Sequence, residues 1–99
     1  MKKLCTALLA LGLTAGGATA GERAIKIGVI GDQSGPFADL GGRGSVIAAQ
    51  MAAEDHGGRA LGKPIEVISA DMQNKPDVAS SITRQWFDVE GVDMVTDVP

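Results

Sequence analysis

The 99-residue sequence is poor in the side chains that enzymes and metal sites most often use. It has one Cys, one His, one Trp and no Tyr, and aromatic residues make up only 3% of it. Zinc sites draw on several Cys or His ligands, so we expect no metal centre, and we expect no cofactor. Nucleophilic and general-base catalysis also start at a disadvantage. Hydrophobic residues, at 44%, still suffice for a core, which excludes a disordered tail.

The first twenty residues predict an export signal rather than part of the fold. A basic head at residues 1–3 precedes an apolar run at residues 4–13, and residues 18–20 (Ala-Thr-Ala) are small, as signal peptidase requires. We expect cleavage after Ala20. The apolar run is shorter than the roughly 20 residues that span a bilayer, so we expect no direct membrane anchor. Cys5 lies near the beginning of this run, whereas the lipid-modified Cys of a lipoprotein would follow it.

The remaining segment, residues 21–99, contains no Cys, so its folding relies on no disulfide. Two of the nine Lys and Arg residues lie in the export signal, which leaves seven basic residues against twelve acidic ones. This acidic balance offers no attractive patch to nucleic acid or to anionic membranes. A chain of this size buries only about 60% of its unfolded surface, so we expect its fold to be completed by something else.

Hydrophobic periodicity in residues 21–99 predicts the order β-α-β-α-β. Right-handed crossovers then imply an α/β fold with a parallel sheet in the strand order 2-1-3. A third parallel strand with no helix after it leaves one sheet face poorly covered and one edge unpaired, so we expect an incomplete domain. The predicted strands cover residues 25–30, 64–70 and 92–98; the first helix covers residues 41–55, the turn after it residues 59–63, and the second helix begins at Pro76 and is closed by Gly91.

Each predicted helix has a stripe of small or apolar residues that we expect to pack on the sheet. In the second helix, Pro76 takes the favoured first position, and Asp77 adds a negative charge to the first turn. Trp86 on this helix is expected in the core. The first stripe consists of Gly44, Ile47, Ala48, Met51 and Ala52, and the second of Val78, Ala79, Ile82 and Trp86.

Two known nucleotide-binding motifs are excluded by the spacing or the context of their residues in this sequence. Residues 57–63 (Gly-x-x-x-x-Gly-Lys) approach a phosphate-binding loop, but Pro64 replaces the required Ser or Thr and the segment precedes a strand. The glycines after the first strand have the wrong spacing for a dinucleotide-binding turn. His56 is expected at a helix end, as a C-terminal capping or surface residue.

The loop over residues 31–42 is the strongest candidate for a ligand site, with four Gly and one Pro. In open parallel sheets, ligands bind beyond the carboxyl ends of the strands, at the point where the strand order reverses. With order 2-1-3, this point lies between strands 1 and 3, and this loop and residues 97–99 flank it. Backbone N–H groups of a Gly-rich loop and a helix start suit a carboxylate or another polar ligand group.

The chain also carries an ordered series of short segments. They are IKIGVI at 25–30, SGP at 34–36, Gly41 with a helix that begins near Gly44, AED at 53–55, LGKPIEV at 61–67, NKPDVA at 74–79 and VDMV at 92–95. Together they resemble the start of the branched-chain amino-acid-binding proteins, which are type I periplasmic solute-binding proteins that deliver solute to ABC importers. The likeness covers essentially all of residues 21–99.

This resemblance implies two α/β lobes joined by a hinge, with the solute bound in the cleft between them. Residues 21–99 would form the first half of the N-terminal lobe. Relatives that bind leucine often carry Tyr where this chain has Leu40, so an aliphatic amino acid is one option beside aromatic acids, amides and urea. The loop after the first strand is implied to touch the solute, and its candidate contacts are Ser34, Gly35, Pro36, Phe37, Leu40 and Gly41.

We therefore expect a non-enzymatic, periplasmic substrate-binding component of an ABC importer for amino acids or related small polar solutes. Its expected partners are that solute and the membrane permease subunits. A ligand-sensing receptor ectodomain with the same fold is the alternative. An exported enzyme on a flavodoxin-like fold, using Ser34, Asp32 and Asp39, is a third and less favoured hypothesis.

Overall fold

A computed structural model describes residues 23–99. The predicted export signal and its cleavage site at Ala20 lie outside the described residues. The predicted order of strands and helices is confirmed, with one additional short strand. The elements are β1 (Ile25–Gly31), α1 (Gly42–Asp55), β2 (Arg59–Ala60), β3 (Lys63–Asp71), α2 (Pro76–Asp88) and β4 (Met94–Thr96).

The four strands form one sheet in the order β2-β3-β1-β4. β1 pairs in parallel with β3, from Ile25 opposite Ile65 to Gly31 opposite Asp71. On its other side β1 pairs in parallel with β4, whose Met94 lies opposite Ile27. The three predicted strands therefore have the predicted order 2-1-3, and the strand order reverses at β1.

β2 is an antiparallel edge strand that was not predicted. Within the segment expected to be a turn, Arg59 pairs with Pro64 and Ala60 with Lys63. The connecting Leu61 and Gly62 both have positive φ, 53° and 76°, as a two-residue hairpin of type I′ requires. Asn-Gly is the usual sequence signal for such a hairpin. This chain has Leu61 in place of Asn, so the signal is absent.

β4 is shorter than the predicted third strand. Only residues 94–96 pair with β1, although Asp93 N–H still donates to the carbonyl of Lys26 at 2.9 Å. Asp97 has φ of 60°, a left-handed conformation that ends the extended chain. Within residues 23–99, β4 pairs on one side only.

α2 packs as predicted and contributes two residues to the core cluster. Ala79 and Trp86 of the predicted stripe are buried, and Ile82 packs against the same cluster. The predicted N-terminus is also confirmed, because Pro76 begins the helix and Asp77 lies in its first turn. The cluster consists of Ile30, Met72, Ala79, Trp86 and Val92.

The predicted packing face of α1 is wrong. Ile47 and Met51 are exposed, as is Gly44, while Ala48 and Ala52 border an open groove of about 610 Å³ beside the sheet. At about 100° per residue, the inward face lies nearly opposite Ile47 and Met51. Small residues occur all around this helix, so their size does not mark the packed side. The inward residues are Gly42, Val46, Ala49 and Ala53.

Candidate functional site

A crevice of about 220 Å³ opens at the carboxyl ends of β1 and β4, where the strand order reverses. This is the position predicted from the topology of parallel sheets. One wall is the loop between β1 and α1, and the other is the chain that leaves β4. The lining residues are Gly31, Asp32, Phe37, Leu40, Gly41, Gly42, Asp97 and Pro99.

The six predicted solute contacts divide into two groups. Phe37, Leu40 and Gly41 line the crevice, whereas Ser34, Gly35 and Pro36 lie on the same loop without lining it. Phe37 is 51% exposed and Leu40 is 83% exposed. These two side chains thus offer apolar surface that a solute can cover. The contact of all six with a solute stays a prediction.

Asp32 organises the loop from inside. It directly follows β1, is only 3% exposed, and its carboxylate accepts backbone hydrogen bonds from three loop residues. These bonds are 3.3 Å from Ser34, 2.6 Å from Gly35 and 3.0 Å from Phe37. A Cβ at position 35 would overlap the Asp32 carboxylate, so Gly35 lets the backbone approach it. The buried Asp32 side chain therefore shapes the loop.

Asp71, at the end of β3, holds the same loop from the neighbouring strand. Its Oδ2 accepts a 2.6 Å hydrogen bond from the Ser34 hydroxyl, and its Oδ1 accepts N–H bonds from Gln33 at 2.8 Å and Gln73 at 2.9 Å. The Ser34 hydroxyl, followed by these two N–H groups, lowers the pKa of Asp71 below its ordinary value of 3.8. Sequence reasoning missed Asp71 because it lies 37 positions from Ser34 in the chain.

The chain enters α1 through a series of tight turns. The Leu40 N–H donates to the carbonyl of Phe37 at 3.0 Å, and the Gly42 N–H donates to that of Ala38 at 3.1 Å. No side chain caps the N-terminus of α1, whose N-cap is Gly41. A Cβ at Gly42 would overlap the carbonyl oxygen of Asp32, so this glycine lets the helix start against the end of β1.

Asp97 places a carboxylate at the mouth of the crevice. Its Oδ2 lies 3.6 Å from the position that a Cβ would take at Gly31, and 3.8 Å from that position at Gly41. The start of α1, where a ligand carboxylate was expected, therefore already has a protein carboxylate beside it. A negative charge is in general stabilised near a helix N-terminus.

The loop does not assemble a catalytic group of the kind considered for the enzyme hypothesis. The Ser34 hydroxyl donates to Asp71, and the Asp32 carboxylate accepts three backbone N–H groups. His56 is the C-cap of α1, as predicted, and the 14 residues of the helix place it about 20 Å from the loop. Ser34 therefore has no histidine base within reach.

Membrane-spanning helices and metal-binding clusters were both sought in residues 23–99. None of the helices in these residues has the length and apolar character that crossing a bilayer demands. These residues also contain no group of three or more His, Asp or Glu side chains placed to hold a metal ion. The described chain is an α/β unit with a crevice at the strand switch point, which is the architecture of a small-molecule binding lobe.

Comparison with known proteins identifies the family. The family model for periplasmic binding proteins matches residues 24–99. The chain therefore belongs to the periplasmic binding protein family, and the resemblance found in the sequence is confirmed. A search among curated proteins gave no significant match.

Three solved structures share this fold. A branched-chain amino acid ABC transporter periplasmic ligand-binding protein from Burkholderia xenovorans is 54% identical with a TM-score of 0.72, over 75% of this chain and 20% of its own. A periplasmic binding protein from Burkholderia mallei is 50% identical with a TM-score of 0.71, over 73% and 19%. An ABC transporter substrate-binding protein from Sphaerobacter thermophilus is 30% identical with a TM-score of 0.65, over 74% and 19%. The chain thus spans about one fifth of the length of these structures.

Proposed function

We propose that this chain is the opening part of the substrate-binding component of an ABC importer, and that the crevice beside Phe37 and Leu40 receives part of the solute. The observation that carries the proposal is the position of this crevice at the strand switch point of a periplasmic binding protein fold. The B. xenovorans protein, named for branched-chain amino acid transport, shares 54% identity over the matched region. An amino acid of the branched-chain type, or a related small polar solute, is the proposed ligand class.

The chemistry of the crevice supports a solute with an apolar part and a polar part. Phe37 and Leu40 supply apolar surface, while Asp97 supplies a negative charge on the other wall. An ammonium or another hydrogen-bond donor is favoured beside that carboxylate, and an anionic group is disfavoured there. A zwitterionic aliphatic amino acid can satisfy both walls with its ammonium group and its side chain.

We also propose a domain organisation, a compartment and partners for the whole protein. Residues 1–20 act as a cleaved export signal, and residues 21–99 form part of an N-terminal lobe. The protein works in the periplasm without covalent chemistry and passes its solute to membrane permease subunits. The three solved structures, all named as binding proteins, support the binding role. The export signal rests on the sequence pattern of residues 1–20.

Calorimetric titration of the full-length protein tests the solute class. The panel comprises L-leucine, L-isoleucine and L-valine, with an aromatic acid, an amide and urea as competing chemistries. We expect saturable binding of at least one branched-chain amino acid and weaker binding of the aromatic acid. If an anionic aromatic acid binds while all three amino acids fail, the proposed ligand class is wrong.

A further inference from the structure

We propose that Asp71 is the residue that positions the solute-contacting loop, acting through Ser34 and the backbone of Gln33. This role is distinct from solute contact, because Asp71 does not line the crevice. The consequence for solute affinity rests on the function proposed above. The consequence for the loop itself does not, and it is tested separately.

The sheet register places Asp71 where it can act on the loop. Asp71 lies opposite Gly31, the last residue of β1, and the N–H of Met72 donates to the Gly31 carbonyl at 2.9 Å. The end of β3 is therefore fixed to the end of β1 at the point where the loop begins. From this fixed position the Asp71 carboxylate reaches Gln33 and Ser34 at 2.8 Å and 2.6 Å.

Two carboxylates, one directly after β1 and one at the end of β3, accept hydrogen bonds from different donors of the loop. Asp32 accepts the N–H groups of Ser34, Gly35 and Phe37, and Asp71 accepts the Gln33 N–H and the Ser34 hydroxyl. Asp32 belongs to the same turn that it organises, so its bonds are local. Asp71 belongs to another strand, and its bonds fix that turn relative to the sheet.

The hydrogen bond between Ser34 and Asp71 has good geometry. It joins a hydroxyl donor to a carboxylate oxygen at 2.6 Å, within the usual range for O–H···O bonds. The loop over residues 31–42 contains four Gly and therefore has little intrinsic conformational preference. Without the hydrogen bonds to Asp71 on β3, the loop conformation that presents Phe37 and Leu40 becomes a smaller fraction of the population. The apparent affinity for the solute is the intrinsic affinity multiplied by that fraction, so it falls in proportion.

The first experiment measures amide hydrogen exchange in the solute-free, full-length protein. In Asp71→Ala and Ser34→Ala we expect faster exchange in residues 33–37 and unchanged exchange in α2. Asp71→Asn should restore most of the protection, because its amide oxygen still accepts from Gln33 and Gln73 and its NH₂ can donate to Ser34 Oγ. Glu66→Gln removes an exposed charge from the same strand and is the matched control.

The second experiment titrates L-leucine into the same variants. We expect about tenfold weaker binding in Asp71→Ala, a smaller loss in Ser34→Ala, and near-normal affinity in Asp71→Asn and Glu66→Gln. If the unmodified protein does not bind L-leucine, L-isoleucine or L-valine takes its place in the titration. If it binds none of the three, the proposed ligand class is wrong, and the exchange experiment alone decides the role of Asp71.

Three results would overturn the proposal. The first is unchanged exchange of residues 33–37 in folded Asp71→Ala. The second is altered exchange together with unchanged affinity for a solute that the unmodified protein binds. The third is an Asp71→Asn protein as impaired as Asp71→Ala, which would indicate that charge, and not the hydrogen bonds to Gln33 and Ser34, determines the position of the loop. Ser34→Ala keeps the test decisive if Asp71→Ala fails to fold, since it deletes one hydroxyl from an exposed side chain.

Discussion

The indole ring of Trp86 lies against Gly28 so closely that a Cβ at position 28 would overlap it. Gly28 is in the middle of β1, an inner strand of the sheet, and Trp86 is buried on α2. A glycine inside a strand often marks such a close approach of another group to the backbone. This contact fixes α2 over β1, and with it the sheet whose far end carries the crevice.

Gly28→Ala should destabilise the protein, because the added methyl group must displace the Trp86 ring. We expect a loss of about 1–3 kcal/mol, as is usual for overpacked cores. Urea unfolding of the full-length protein, followed by circular dichroism, measures it. In a Trp86→Leu background the same substitution should cost less, since the smaller side chain leaves room. Additive effects of the two substitutions would contradict the contact.

The sequence predicts the packed face of α2 better than that of α1. In α2, Val78, Ala79, Ile82 and Trp86 recur on one stripe, so the 3.6-residue period identifies its packed face. In α1, Gly and Ala surround the helix, and the branched Val46 is buried while the branched Ile47 beside it is exposed. Which of the two turns inward depends on how the helix leaves the loop at Gly42. That loop is held by contacts that periodicity does not reveal.

The candidate site shows a similar division. Its place at the carboxyl ends of β1 and β4 follows from the strand order, which the pattern of elements predicts. The strand order does not predict that Phe37 and Leu40 line the crevice while Ser34 does not. Ser34 instead donates a hydrogen bond to Asp71. Long-range pairing of polar side chains leaves no periodic signal in a single sequence.

The turn between β2 and β3 offers a site for stabilisation. Leu61 has φ of 53° and is 93% exposed, so it adopts a left-handed conformation without packing in return. Leu61→Asn should raise stability by about 0.5–1 kcal/mol, because Asn-Gly is the preferred pair in a type I′ turn. Thermal melting measures the gain. Leu61→Ala is the control, and a gain of equal size there would mean that conformation is not the cause.

Asp93 should make stability depend on pH in the acid range. Its carboxylate accepts hydrogen bonds from Arg23 at 2.8 Å and from the Lys26 N–H at 2.9 Å, and chiefly the Arg23 bond lowers its pKa below 3.8. A carboxyl whose pKa is lowered by folding stabilises the protein above its unfolded pKa. That contribution is lost as the pH falls through the lower, folded value.

Melting temperatures of the full-length protein between pH 7 and pH 2 measure this contribution. We expect Asp93→Asn to be less stable than the unmodified protein at pH 7, and the difference to shrink below about pH 4. Added salt should also reduce the difference, since the Arg23 pair is exposed. Asp88→Asn, an exposed change of equal charge on α2, is the control. A difference that stays constant from pH 7 to pH 2 would exclude ionisation of Asp93 as its source.

Leu40 should contribute to solute affinity without contributing to the stability of the solute-free protein. It lines the crevice and is 83% exposed, so Leu40→Ala should change unfolding free energy by less than about 0.5 kcal/mol. Covering part of this side chain with an aliphatic solute contributes on the order of 1.5 kcal/mol. Its removal should therefore raise the Kd for L-leucine about tenfold in calorimetric titration.

Leu61→Ala is the matched control for Leu40→Ala, because both leucines are largely exposed and the two lie at opposite ends of the sheet. Leu61 precedes the start of β3, whereas Leu40 lies beyond the end of β1. Leu61→Ala should leave the Kd unchanged. Equal losses of affinity in the two variants would show a general effect of removing surface leucines. Unchanged affinity in Leu40→Ala would place the apolar part of the solute against other residues, and Phe37→Ala would then be the next variant to titrate.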